Sequence, residues 1–343
     1  RGLAGAVFDN AHIREEAAPS LLRLYANCHA VAGLDVDEDV SFDKFNIRHR
    51  ANGILTLLWE YPTKEPRASV VAFIAAEPEA WAAVVHAVFD TVVYNLEDAL
   101  RRMADGREYE RRGQQEHPFV RQQQKTAKGF LARSDSSLDL LNLLASSSPE
   151  VRQTLAWPSL ATRAAGVLWT CVNWLVSPER ADGLAVLDPN KYGFELARAL
   201  ERPAELLARA LETSDGGGGG ASAVALSLVA HPDFDQATLA LAAARPGGSA
   251  LKPHLAAVAA VAAARGSTRA GQAAMGGPAG GPFVDWGRLL GAPDEGEEGY
   301  AERFTDAGQV GPAEACGEEG VTASHFFVHE HATQKEGSGG GGG

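Results

Sequence analysis

The sequence is poor in the residues on which small reactive sites are usually built. Its 343 residues include three cysteines, Cys28, Cys171 and Cys316. They are far apart and odd in number, which offers neither a disulfide framework nor a Cys-x-x-Cys metal pair and fits a reducing compartment. No apolar run near the C-terminal end approaches the roughly 20 residues that cross a bilayer; the strongest there covers residues 255–264. No charged-then-apolar leader opens the chain, which starts at Arg1, so its first residues are not taken as a natural N-terminus. Basic residues are also short: 31 Lys and Arg against 44 Asp and Glu give a formal charge of −13. Such a surplus repels phosphate backbones and argues against nucleic acid as the main partner. The basic stretch at residues 101–128 does not reverse the balance.

The phosphate loop Gly-x-x-x-x-Gly-Lys-Ser/Thr, a Gly-x-Gly-x-x-Gly turn between a strand and a helix and the Gly-x-Ser-x-Gly elbow are all missing, although glycine is abundant at 37 residues. Much of that glycine lies in uniform runs. Cys28 and His29 are adjacent, so on a helix they point about 100° apart and make a poor nucleophile and base. Glu97 and Asp98 diverge for the same reason and read as a solvated edge. In "HFFVHEH", His325 and His329 share a helical spacing with His331 near and Cys316 upstream; these are zinc-ligand types. The pattern lacks His-Glu-x-x-His and sits among glycines, so adventitious metal affinity is the simpler reading. No catalytic, cofactor or metal residue is assigned.

What is present is helical periodicity. Ile47, Ala51, Ile54, Leu55 and Leu58 form one apolar face. Trp81, Val84, Val85, Val88, Val92, Leu96, Leu100 and Met103 form a longer one after Pro78, a residue suited to a first turn. Leu138, Leu141 and Leu144 continue the pattern, and Ser148, Pro149 and Glu150 supply a cap, a first-turn proline and a favourably placed acid. Leu160, Ala164, Leu168, Cys171 and Leu175 follow, stopped by Ser177 and Pro178. A further helix is expected to begin at Pro203. Residues 105–128, without a clean apolar face, read as a solvated helix or connector.

The architecture expected is all-α, an α-solenoid of packed helical pairs, armadillo-like, with no fixed repeat length. The domain reading is a helical core over residues 1–245, with a glycine linker at 216–220, and a Gly/Pro/Ala-rich low-complexity tail over 246–343. That tail is expected to be disordered apart from one alanine-rich helix candidate at 253–265, since its composition buries too little apolar surface to offset its ordering entropy.

Four segments then resemble the core of the chain-elongating U-box ubiquitin conjugation factors of the Ufd-two type. They are "FDKFNIR" with "ILTLLW" (42–48 and 54–59), "VFDTVVYNLEDAL" (88–100), and "RAAGVLWTCVNWLVSP" with "LAVLDPNKYGFELARAL" (163–178 and 184–200). The fourth, "VAHPDFDQATLALAAA" (229–244), lacks the arginine and serine that the family carries there. In this order and spacing the similarity covers about residues 20–244.

The resemblance implies a rod of packed helices. Phe42 and Phe45 would anchor the start of a helix, Asp43, Lys44 and Arg48 would fix the incoming loop, and Tyr192 and Phe194 would pack a turn marked by Asp188 and Pro189. It also implies ubiquitin-protein transfer and ER-associated degradation. The implied partners are a ubiquitin-conjugating enzyme, ubiquitinated substrates and an AAA-type segregase ATPase, and the implied setting is a monomer in the cytoplasm and nucleus with no cofactor and no membrane. Family members end in a U-box that docks the conjugating enzyme. After Leu290 this sequence reads "PDEGEEGYAERFTDAGQVGPAEACGEEG", keeping only Pro-Asp-Glu of that pattern. Either the module is lost, or the sequence is truncated or misread there. The alternative function is a helical-repeat adaptor that binds without promoting transfer.

Overall fold

The computed structural model describes residues 10–31, 44–60, 65–213 and 221–274, and one compact unit spans Glu15–Ala279. Phe42, Asp43, the 216–220 glycines, Cys316, the tail histidines and the expected disorder beyond residue 274 lie outside the described residues. Among the described residues there is no strand. The helices are α1 (Ala11–Val31), α2 (Lys44–Glu60), α3 (Glu65–Ala76), α4 (Pro78–Arg111), α5 (Pro118–Ser147), α6 (Pro149–Thr154), α7 (Pro158–Val176), α8 (Pro178–Leu184), α9 (Leu196–Leu211), α10 (Ala223–Ala230), α11 (Gln236–Ala244) and α12 (Leu255–Ala274). Short 3-10 turns sit at Pro189–Tyr192 and Ser249–His254. The fold is all-α, an armadillo-like stack of helical pairs.

The centre is the antiparallel pair α4 and α5, 34 and 30 residues long. Pro78 stands in the first turn of α4, where a missing N–H costs nothing, with Glu79 beside it at the positive end of the helix dipole. The whole face from Trp81 to Met103 read from the sequence is buried. At the far end of α5, Ser148 ends that helix and caps α6 through Val151 N–H at 3.3 Å, and its own hydroxyl donates to Glu150 at 2.7 Å. Pro149 then supplies the first turn of α6.

Three fully buried tryptophans tie neighbouring elements together, because an indole N–H taken out of water needs an acceptor. Trp59 of α2 donates to Ser147 of α5 at 2.8 Å, Trp81 of α4 to Thr154 of α6 at 2.9 Å, and Trp169 of α7 to the Asp233 carbonyl at 3.2 Å. On the other side of α5, buried Arg202 of α9 holds Asp139 at 2.6 Å and Asp135 at 3.3 Å, while Asn142 donates to the Arg202 carbonyl.

Two elements differ from the sequence expectation. The helix expected to begin at Pro203 begins at Leu196 and carries Pro203 in its interior. Leu200, Pro203, Ala204 and Leu207 share its buried face, and burial of that face outweighs one missing backbone bond. Past Arg245, the glycines of "RPGGSA" make a tight turn. Gly247 has φ +87 and lies against the Ala197 carbonyl of α9, and Gly248 lies against the Ala242 carbonyl of α11, approaches that leave no space for a Cβ. This closeness seats the Ser249–His254 turn with Leu251 buried, and α12 follows with Val258 buried.

Candidate functional site

The stretch that opens α2 joins three helices. Arg48 is 4% exposed. Its guanidinium reaches the Tyr25 carbonyl of α1 at 3.3 Å, and the Ala87 carbonyl and Thr91 hydroxyl of α4 at 3.4 and 3.3 Å. It also lies 5.6 Å from the centre of the Tyr25 ring. A desolvated charge is tolerated here because carbonyl dipoles, a hydroxyl and a ring face replace its water. Arg48 therefore clamps α1 to α4, while the incoming loop it was expected to fix lies outside the described residues.

Phe45 was expected to be a buried anchor. It is instead only part-buried, stacked on Tyr94 of α4 with ring centroids 4.6 Å apart and planes 9° from parallel. The start of α2 lies over the rim of the α4–α5 pair, so its first aromatic meets a surface ring and its first fully buried side chain is Arg48. Phe130 of α5 completes the cluster, edge-on to Tyr94 at 6.4 Å.

One turn further, His49 Nδ1 lies 2.8 Å from the Ser136 hydroxyl, and Asn52 donates to Ser136 and Ser137 at 3.3 and 3.0 Å. Burial, then Arg133 and Arg50, hold the His49 pKa below its ordinary value. A hydroxyl beside an imidazole has the outline of a nucleophile and base. Here, however, the Ser136 hydroxyl also faces the Arg133 carbonyl at 3.1 Å, and the groups shifting His49 are cations, not an orienting carboxylate. The contact is a polar joint between α2 and α5. Nothing in the sequence spacing, 87 residues apart, pointed to it.

The "DPNKYGF" turn is built from its own residues. Asp188 accepts from Asn190 N–H at 3.2 Å and caps the 3-10 turn, and Gly193, at φ 68, takes the left-handed conformation that ends it. These features drive Tyr192 and Phe194 inward, as expected for packing residues. Tyr192 lies directly over Gly106 of α4, where no side chain fits. Burial, with Glu110 near, pushes its phenol up to about 12. Buried Glu110 accepts from Leu187 N–H at 2.8 Å and has Arg107 at 3.8 Å. The polar stretch read as a solvated connector thus contributes a docking seat.

The reactive candidates disperse. Cys28 and Cys171 are buried; burial raises the Cys28 thiol and carries that of Cys171 to about 12, far from a thiolate at neutral pH. Glu97 is exposed, and Asp98 pairs with Arg101 and Arg102 on its own helix. Asp90 pairs with Arg163 of α7. Among the described residues no group of three or more His, Cys, Asp or Glu could hold a metal. A cleft of about 430 Å3 between α7, α8 and the start of α9 is lined by Leu175, Leu184, Phe194, Leu196, Glu195 and Arg245 among others, with no cysteine or histidine. The arrangement is one of joints and surfaces.

Residues 1–206 match the family of ubiquitin elongating factor cores. No curated protein matches the chain. That match spans Arg48, the Trp81–Met103 face and "DPNKYGF", whose side chains join the helices, and the chain belongs to the ubiquitin elongating factor core family.

Proposed function

We propose that this chain works as the scaffold of ubiquitin chain elongation, holding a ubiquitinated acceptor against a ubiquitin-conjugating enzyme without carrying ubiquitin itself. In such a transfer an acceptor lysine amine attacks the conjugating enzyme's thioester: the amide C–N bond forms, the C–S bond breaks, the thiolate leaves and the amine loses its proton. The scaffold's contribution is placement, which raises the effective concentration of the amine at the thioester. The observation that carries this reading is the chemistry of the two described cysteines, both buried with raised thiols inside a fold of the elongating factor family. A group that relays ubiquitin would need an exposed thiolate. The same reading takes an AAA-type segregase ATPase as partner, in the cytoplasm and nucleus.

A second reading, an adaptor that binds without promoting transfer, is favoured by the sequence after Leu290, which keeps only Pro-Asp-Glu of the U-box pattern. Elongation of a mono-ubiquitinated acceptor by a charged conjugating enzyme separates the two. The chain alone is expected to bind the acceptor and leave the elongation rate unchanged, and the same chain with a U-box fused after Leu290 is expected to elongate. A folded fusion that stays inactive refutes the scaffold reading and favours the adaptor.

A further inference from the structure

We draw no further inference here: the strongest candidate, the cleft of about 430 Å3 between α7, α8 and the start of α9, is lined mainly by apolar side chains, with Glu195 and Arg245 of opposite charge in its lining, and nothing in the structure shows what covers it.

Discussion

Replacing Arg48 by alanine and, separately, by methionine resolves what the start of α2 contributes. The guanidinium makes three polar contacts at 3.3 to 3.4 Å, all at the long end for hydrogen bonds. At the lower part of the usual range they amount together to about 2 kcal/mol. Arg48→Ala also removes two buried methylenes, about 1.6 kcal/mol of transfer energy, before any cavity cost. The expected loss is therefore about 3 to 4 kcal/mol. Methionine keeps an apolar stem of similar length and removes a desolvated charge, so Arg48→Met is expected to cost only about 1 to 2 kcal/mol. Phe45→Ala, at a part-buried stacked ring, is expected to cost about 1 kcal/mol, below the usual 3 to 5 for a buried phenylalanine. Urea unfolding followed by far-ultraviolet circular dichroism measures all three, with the denaturant slope unchanged if only the folded state is affected. Equal costs for alanine and methionine, or a cost for Arg48→Ala below about 0.5 kcal/mol, would refute the clamp.

Gly106→Ala is expected to lower stability by about 1 to 2 kcal/mol, where an open helical site would gain about 1, because the new methyl meets the Tyr192 hydroxyl; a raised melting temperature would contradict the seat. Burial leads the causes that lower the pKa of His49, His86 and His231, joined by Arg133 and Arg50 at His49 and by Arg163 at His86. A depressed folded pKa means that the unfolded chain binds protons first, so stability is full above the ordinary value of 6.5 and falls as pH drops through it. Melting temperature at fixed ionic strength is expected to decline from about pH 7.5 to about pH 6, and His49→Gln to flatten that decline; a flat profile in the unmodified chain would refute the assignment. Asp135, raised by burial against Arg202, acts in the opposite sense at more acidic pH.

The sequence revealed what depends on local spacing. The Trp81–Met103 face, the Ser148 cap and the Asp188 turn are each specified within a few residues, and each folds as its pattern dictates. It concealed what depends on distant partners. Phe45 and Tyr94 are 49 positions apart, so no periodicity reveals that the phenylalanine stacks on a rim instead of filling the core. Gly106 has no sequence mark; only the arrival of Tyr192 explains why a side chain is excluded. Pro203 was misread because proline at a first turn and proline on a well-buried helical face look alike until the opposing helices are placed. The candidate site followed the same rule. The resemblance located the segments, while burial and distant partners decided that Arg48 is a clamp.

The central claim is that ubiquitin passes from the conjugating enzyme to the acceptor without residing on this chain. Single-turnover transfer from a charged conjugating enzyme, with the chain bearing a U-box after Leu290 and samples resolved on non-reducing gels, tests it directly. The account predicts elongated acceptor, no reductant-sensitive ubiquitin adduct on the chain, and undiminished elongation by the folded Cys28→Ala and Cys171→Ala variants. An adduct on the chain that reductant removes, and that disappears together with elongation when Cys28, Cys171 or Cys316 is replaced, would contradict it.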